Sequence, residues 1–137
     1  MPIFLTLILS IFAFSACQSA STGKATNAAR VSQTDIKQIS VDEAKNTVDA
    51  KNAQFIDVRT EAEYAGGHAP KAINFPLDAL ETGLSKLDKD KPVYLICQTG
   101  RRSQKGAEIL QKAGFTDIYN VQGGTSAWVD AGFPTEK

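Results

Sequence analysis

The first feature of the sequence with evident chemical potential is a thiol beside concentrated positive charge. Cys97 begins the stretch CQTGRRS, which directly follows the apolar run VYLI. Gly100 permits a tight turn, and Arg101 and Arg102 add charges that cannot be titrated away. Loop amides and the first turn of a following helix favour an anion at the same place and stabilise a thiolate there. The stretch therefore predicts a nucleophilic cysteine that is largely thiolate at neutral pH.

Three kinds of protein place a cysteine in such a position. In the first, the cysteine is only a small apolar residue at the end of a core strand, since free cysteines are often buried. In the second, a phosphatase or arsenate reductase, the cysteine lies under a cradle of loop amides. In the third, the cysteine transfers sulfur as a persulfide. A structural cysteine has no need of a glycine and two arginines within five positions, so the sequence favours the two reactive alternatives.

The segments around Cys97 alternate between short strands and helices. Such alternation indicates an α/β domain with a mainly parallel sheet. Ligands of such sheets bind beyond the carboxyl ends of the strands, and Cys97 follows a predicted central strand at that position. The predicted strands are 36–39, 54–58, 72–75, 92–96 and 117–121, and the predicted helices are 40–52, 61–65, 77–87, 103–113 and 124–132.

Helix signals are clear at several of these segments. Ser40 and Glu43 stand in capping-box spacing, and Thr60 is a second candidate cap. Gly114 is the expected stop of the helix that follows Cys97. One face of the segment 77–87 carries four leucines, which predicts a continuous helix there. These are Leu77, Leu80, Leu84 and Leu87.

Three stretches, in order, resemble the rhodanese (thiosulfate sulfurtransferase) superfamily. The family's active-site loop resembles CQTGRRS. Its Asp-Val-Arg to Asn-Ile-Pro stretch resembles residues 55–76, FIDVRTEAEYAGGHAPKAINFP. Its closing signature resembles residues 121–134, VQGGTSAWVDAGFP. Ala69 stands where the family usually has isoleucine, while the neighbouring Gly67, His68 and Pro70 match. The resemblance implies a single rhodanese-like domain of the α/β class over 36–137, with a mainly parallel central sheet flanked by helices on both faces.

Loop length separates the two reactive alternatives. Catalytic rhodanese-type loops resemble Cys-x4-Arg and are sized for one transferred sulfur, whereas the related phosphatase and arsenate reductase loops end Cys-x5-Arg. Cys97 to Arg102 has the shorter form, and Ser103 stands where a phosphatase needs its arginine. The resemblance thus implies a sulfurtransferase that moves a sulfane sulfur from a donor such as thiosulfate to cyanide or a thiol through a Cys97 persulfide. The alternative is a sulfur carrier or adaptor that hands this sulfur to a partner protein.

The resemblance also implies a set of supporting residues. Loop amides would stabilise the thiolate and the persulfide anion, and the loop arginines would attract an anionic donor. Asp57 and Arg59 could touch substrate, although an ion pair that orders the pocket edge is the favoured interpretation. His68 is interpreted as a hydrogen-bonding loop residue, because partner ligands for a metal are absent, and we expect neither metal nor cofactor. The predicted nucleophile is Cys97, and the predicted substrate-binding residues are Gln98, Thr99, Gly100, Arg101, Arg102, Asp57 and Arg59.

The N-terminal segment differs from the predicted domain in composition. Ile3–Phe14 is apolar apart from Thr6 and Ser10, and its 12 residues are fewer than the roughly 20 that span a bilayer. This length is typical of an export signal, and FSAC at 14–17 resembles a bacterial lipobox, whose cysteine is lipidated. We expect a signal peptide over 1–17 with lipidation at Cys17, a flexible tether over 18–35 and the domain over 36–137.

These features predict a periplasmic protein anchored to the outer membrane, with a plain secreted protein as the alternative. Gln18 is not the aspartate that usually retains a lipoprotein at the inner membrane. The 15 basic and 15 acidic residues give zero net charge, which argues against a nucleic-acid partner. The expected partners are a small anionic sulfur donor and an acceptor that is cyanide, a small thiol or a protein thiol. Membrane contact is expected through the N-terminal lipid only.

Overall fold

A computed structural model describes residues 34–137 of the protein. The predicted signal peptide, Cys17 and nearly all of the predicted tether lie outside the described residues. Within 34–137, no helix is long and apolar enough to cross a membrane. The strands are β1 (Lys37–Ile39), β2 (Gln54–Asp57), β3 (Ile73–Asn74), β4 (Val93–Ile96) and β5 (Ile118–Val121). The helices are α1 (Val41–Thr47), α2 (Glu61–Ala65), α3 (Leu77–Leu80), α4 (Arg101–Lys112) and α5 (Gly124–Asp130), with a 3-10 turn at Leu84–Lys86.

The five strands form one sheet in the order β1-β5-β4-β2-β3, and every pairing is parallel. In the central strand β4, Leu95 lies opposite Ile56 of β2 and Asn120 of β5. All four residues of β4 are buried, as expected for a strand covered on both faces. The predicted α/β fold is confirmed. Because the strands are parallel, their carboxyl ends share one edge of the sheet, and Cys97 is the first residue beyond β4 at that edge.

Two apolar layers cover the sheet. Successive residues of a strand point to opposite faces, so β4 contributes to both layers. Tyr94 and Ile96 pack in the layer that contains residues of α1 and α5, whereas Val93 and Leu95 pack in the layer that contains residues of α3 and α4. Helices therefore lie on both faces, as the sequence predicted.

The predicted helix caps are present. At the start of α1, the Ser40 hydroxyl accepts a hydrogen bond from the Glu43 amide. At the start of α2, Thr60 and Glu63 form a complete capping box, in which each side chain accepts from the other residue's amide. Gly114 follows α4 with a φ of 91°, a left-handed conformation typical of the glycine that ends a helix. α4 itself begins at Arg101, two residues earlier than predicted.

The prediction of one continuous helix over 77–87 is wrong. The segment forms α3 and a separate 3-10 turn, and Gly83 between them has a φ of −106°, outside the helical range. The ring of Phe75 occupies the space that a Cβ on residue 83 would need. The four leucines still pack in the layer that contains residues of α4. Tertiary contact with Phe75 therefore overrides the helical periodicity of the segment.

Replacing Gly83 with alanine tests this explanation. Helix propensity alone predicts a gain of roughly 1 kcal/mol, because alanine is the better helix former. Collision with the Phe75 ring instead predicts a loss of about 1–3 kcal/mol in the free energy of unfolding, as for other methyl groups forced into packed sites. Urea unfolding followed by circular dichroism measures the difference.

Ser85→Ala is the matched control, because Ser85 lies in the same segment and is exposed. Its free energy of unfolding is expected to stay within roughly 0.5 kcal/mol of wild type. A Gly83→Ala protein as stable as wild type, or more stable, would contradict the packing explanation.

Candidate active site

Cys97 lies in the loop that joins β4 to α4. It is 1% exposed, so the thiol is covered by the loop. The loop turns at Gly100, whose φ of 92° lies in the left-handed region. A Cβ at residue 100 would also come within 3.3 Å of the Gly123 amide nitrogen. The backbone conformation and the close approach together require glycine at this position.

Two donors of known geometry reach the Cys97 sulfur. The Gly100 amide donates to Sγ at 3.1 Å, and the Ser103 hydroxyl donates at 3.4 Å. Burial raises the pKa of the Cys97 thiol, but hydrogen bonds from the Ser103 side chain and from the amides of Ser103, Thr99 and Gly100 outweigh that effect. The net result is a pKa below the ordinary value, because these donors favour the thiolate over the thiol.

The first turn of α5 orients the peptide units of the loop. The Thr125 amide donates to the Cys97 carbonyl at 2.8 Å, and the Ser126 amide donates to the Gln98 carbonyl at 3.1 Å. The carbonyl and the N–H of one planar peptide unit point in opposite directions. Since the Gln98 carbonyl points towards α5, the Thr99 amide of the same peptide unit points away from α5, and it is one of the amides that lower the pKa of the Cys97 thiol.

Gly124 permits this contact between α5 and the loop. Its φ is 58°, and a Cβ at this position would collide with the Cys97 carbonyl oxygen. The Gln98 side chain adds a hydrogen bond to the Ser126 hydroxyl at 2.9 Å. The paired glycines of the closing motif therefore let a helix start directly against the active-site loop.

The two loop arginines have different surroundings. Arg102 donates to both carboxylate oxygens of Glu63, at 2.8 and 2.6 Å. The Arg102 hydrogen bond is the main reason that the pKa of Glu63 falls from its ordinary 4.5 to about 2. Arg101 is exposed, and within residues 34–137 it forms no ion pair. In the first turn of α4, the charge of the Arg102 guanidinium is therefore compensated by the Glu63 carboxylate, whereas the Arg101 guanidinium faces solvent.

Asp57 and Arg59 form a buried ion pair, as the favoured interpretation expected. The two residues are 0% and 3% exposed, and Arg59 Nη2 donates to the Asp57 carboxylate at 2.7 Å. Arg59 also donates to the Gly67 carbonyl at 2.8 Å and to the Gln98 side-chain oxygen at 3.3 Å. The pair joins the end of β2 to the active-site loop. Direct contact of either residue with substrate stays a prediction.

His68 is buried and bonded to the backbone. Its Nδ1 lies 3.0 Å from the Tyr64 carbonyl oxygen, and its ring stacks on the Tyr64 ring at a centroid distance of 3.6 Å. This is the hydrogen-bonding role that the sequence indicated. In the part of the chain that the structure describes, no three His, Cys, Asp or Glu side chains are grouped so that they could hold a metal ion.

Within residues 34–137, two openings lie beside the active-site loop. A cleft of about 590 Å³ is lined by Thr99, Gly100 and Arg101 of the loop region and by four side-chain amides. These are Gln38, Gln104, Asn120 and Gln122. A smaller opening of about 340 Å³ is lined by Thr99, Arg101, Arg102 and Lys105. Cys97 lines neither opening, in keeping with its burial.

Sequence reasoning missed the roles of Ser103 and Glu63. The sequence marks Ser103 only as a departure from the phosphatase pattern, yet its position in the first turn of α4 brings its hydroxyl within 3.4 Å of the Cys97 sulfur. That helix start was predicted, and it could have signalled the contact. The Thr60–Glu63 spacing could have signalled the capping box, but nothing local in the sequence indicates the partner Arg102, 39 positions away.

Comparison with known proteins gives consistent results. Residues 40–131 match the family of rhodanese-like domains. The chain is 34% identical to thiosulfate sulfurtransferase GlpE of Shewanella oneidensis over 95 residues, which are 69% of this chain and 94% of that protein. It is 34% identical to the putative sulfur carrier protein YrkF of Bacillus subtilis over 94 residues, which are 68% of this chain and 51% of that protein.

Similarity in three dimensions agrees with the sequence matches. A rhodanese-like domain protein from Staphylococcus aureus aligns with a TM-score of 0.64 and 38% identity, over 74% of this chain and 100% of that one. The matched stretch spans 94% of the length of GlpE and 51% of that of YrkF. It spans 62% of the length of a third relative, the uncharacterized protein YqhL of Bacillus subtilis. The resemblance seen in the sequence motifs is therefore confirmed.

Replacing Ser103 with alanine tests the origin of the thiol chemistry. The change removes the hydroxyl donor to Sγ and leaves the loop amides in place. We expect the pKa of the Cys97 thiol to rise, so the thiolate fraction at a fixed pH below the midpoint falls. Alkylation by iodoacetamide, followed by intact mass across a pH series, should be severalfold slower at low pH and should converge with wild type at high pH.

Ser85→Ala, at an exposed serine in the 3-10 turn, is the control and should leave the alkylation profile unchanged. An unshifted profile for Ser103→Ala would show that the amides alone set the reactivity of Cys97.

Proposed function

The chain belongs to the rhodanese-like family, and from this membership we propose that it is a sulfurtransferase that carries a sulfane sulfur as a Cys97 persulfide. The observation that supports this most strongly is the geometry at Sγ, which receives the Gly100 amide at 3.1 Å and the Ser103 hydroxyl at 3.4 Å. Donors that are already in place stabilise negative charge without reorganisation during the reaction. The same donors can therefore serve a thiolate and a persulfide anion in turn.

In the first step, the Cys97 thiolate attacks the outer sulfur of a donor such as thiosulfate. A bond forms between Sγ and that sulfur, while the bond from that sulfur to sulfite breaks and its electron pair leaves with sulfite. One thiolate and one dianion thus become one persulfide anion and one sulfite dianion, so charge is conserved. The loop amides oppose any loss of the persulfide's charge to protonation.

In the second step, the acceptor attacks the outer sulfur of the persulfide. Cyanide leaves as thiocyanate, or a thiolate leaves as a new persulfide, and Cys97 returns to its thiolate form. Neither step requires a proton transfer at Cys97, so the reaction needs no general base. His68, which is bonded to the Tyr64 carbonyl, has no step assigned to it.

The loop geometry weighs against a phosphatase or arsenate reductase. Such enzymes need an arginine one position beyond Arg102, where this chain has Ser103. Ser103 is fully buried, and its hydroxyl donates a hydrogen bond to the Cys97 sulfur. The Arg102 guanidinium is already paired with the Glu63 carboxylate. Among residues 34–137, no guanidinium is therefore placed to bind a tetrahedral oxyanion at the position that the longer loop requires.

A sulfur carrier that passes its persulfide to a partner protein is the second candidate. The likeness to YrkF, a putative sulfur carrier protein, supports it. Because Cys97 is 1% exposed, a protein acceptor would have to present its thiol on a narrow, extended segment. Steady turnover with cyanide would favour the enzyme, whereas a single discharge that only a protein thiol completes would favour the carrier.

Incubation with thiosulfate tests the proposal directly. We expect wild type to gain one sulfur atom by intact mass, and Cys97→Ala to gain none, because the persulfide forms on Cys97. Added cyanide should remove the sulfur and release thiocyanate, which is measured colorimetrically. Cys17→Ser controls for the second cysteine of the chain and should behave as wild type. No sulfur on wild type, or equal gain by Cys97→Ala, would contradict the proposed chemistry.

We also propose that the protein is exported and anchored by a lipid on Cys17, facing the periplasm from the outer membrane. The support is the apolar run Ile3–Phe14 followed by the lipobox-like FSAC. A single acyl chain binds membranes only marginally, whereas several chains on one cysteine hold a protein stably. Membrane attachment would then leave the rhodanese-like domain itself in solution.

Metabolic labelling with palmitate in a bacterial host tests this anchor. Wild type should be labelled and should sediment with outer membranes, while Cys17→Ser should be unlabelled and released. Ser15→Ala, which keeps a small residue before the cysteine, is the matched control and should retain the label. Equal labelling of wild type and Cys17→Ser would exclude an anchor at that residue.

A further inference from the structure

Three arginines surround the active-site loop, and they differ in how far their charge is already neutralised. Arg59 is buried against Asp57, and Arg102 is bonded to both oxygens of Glu63. Arg101 is exposed and, across residues 34–137, has no carboxylate partner. Within the described structure, Arg101 is therefore the one of these three whose charge is not compensated by a carboxylate.

Lys105 lies one turn beyond Arg101 on α4 and shares its surroundings. Residues four apart on a helix lie on the same face, and both side chains are exposed. Lys105 also forms no ion pair in the described part of the chain. Both residues line the opening of about 340 Å³, and both line the larger cleft as well. Arg101 and Lys105, which have no carboxylate partner within residues 34–137, therefore lie together at the smaller opening beside the active-site loop.

Among the described residues that line the smaller opening, none is acidic. Its remaining lining residues are Thr99 and the neutralised Arg102. Glu108 lines only the larger cleft, where its carboxylate accepts a hydrogen bond from the Gln104 side chain. The local field at the smaller opening is therefore positive, although the net charge of the whole chain is zero.

We propose that Arg101 and Lys105 bind the charged end of the sulfur donor, and that Arg102 is a positioning residue that does not bind it. This assignment rests on the proposed sulfurtransferase function and names the residues that select its donor. The donor class that fits is one whose departing group carries two negative charges, as sulfite does. A guanidinium fork can bind two sulfonate oxygens, while the lysine adds a point charge.

The burial of the Cys97 thiol restricts how the bound donor can be oriented. Cys97 is 1% exposed, whereas Arg101 and Lys105 are on the surface at the opening. We therefore expect the donor to enter with its outer sulfur towards Sγ and its sulfonate end towards the cations. The same cations stabilise sulfite as it forms, so they contribute to binding and to departure.

Arg102 has a different task in this arrangement. Its partner Glu63 also accepts from the Thr60 amide at 3.1 Å and the Thr60 hydroxyl at 2.9 Å. The Arg102–Glu63 pair therefore ties the first turn of α4 to the cap of α2. Loss of the pair is expected to disturb the placement of the loop amides, and hence the rate of sulfur uptake, without changing how tightly the donor binds.

Single-turnover persulfide formation separates these roles. The rate of sulfur gain is measured by quenched intact mass across thiosulfate concentrations. Arg101→Gln should raise the half-saturating concentration roughly tenfold, as expected for loss of one charge-assisted hydrogen bond. Lys105→Gln should raise it roughly threefold, as for a more exposed charge. Both variants should also weaken the dependence of the rate on ionic strength, because fewer charges attract the donor.

Arg102→Gln should instead lower the maximal rate and leave the half-saturating concentration within about twofold of wild type. Glu63→Gln should likewise lower the maximal rate, and the double variant should be no slower than either single variant, because both remove the same pair. Lys112→Gln, an exposed charge deletion at the far end of α4, is the matched control and should match wild type in both parameters.

The outcomes distinguish this inference from the function on which it rests. Failure of wild type to gain sulfur would overturn both. Sulfur gain by wild type, with unchanged half-saturation in Arg101→Gln and Lys105→Gln, would overturn the donor assignment alone. A larger rise in half-saturation for Arg102→Gln than for Arg101→Gln would reverse the proposed roles and equally refute the assignment.

Discussion

The hydrogen bonds from the first turn of α5 to the active-site loop are the interaction on which the site depends. They hold the carbonyls of Cys97 and Gln98 towards α5, and planar peptide geometry then turns the Thr99 amide away from α5. That amide is one of the donors that lower the pKa of the Cys97 thiol. Gly124 makes the contact possible, because any side chain there would meet the Cys97 carbonyl. The parallel pairing of β4 with β5 supplies the proximity, since neighbouring strands end side by side and deliver both loops to one place.

Charge around the loop is graded from the interior to the surface. The Asp57–Arg59 pair is fully buried, the Arg102–Glu63 pair is partly exposed, and Arg101 is exposed on the same helix turn as Arg102. A buried ion pair stabilises a fold only when its remaining hydrogen-bonding groups are satisfied, and Arg59 meets that condition through Gly67 and Gln98. Successive residues of the chain thus perform unlike tasks, because a helix turns neighbouring side chains by about 100°.

Much of this arrangement could be predicted from the sequence, and the exceptions share a physical cause. The strands, the caps at Ser40 and Thr60 and the placement of Cys97 beyond a central strand are local or follow from parallel topology. The break at Gly83 depends on a ring from Phe75, and the role of Arg102 depends on Glu63, 39 positions earlier. Neither contact is encoded by the helical period of its own segment. The family motifs identified the loop, but they did not tell the two arginines apart.

The burial of Cys97 also governs which partners its sulfur can meet by accident. A disulfide needs two sulfurs about 2.05 Å apart with their Cβ atoms within roughly 4.5 Å. A thiol that is 1% exposed under its own loop cannot be brought so close to the same thiol in a second copy while both loops stay folded. The cover over Cys97 therefore hinders self-coupling, so that the thiol is not locked into a covalent dimer.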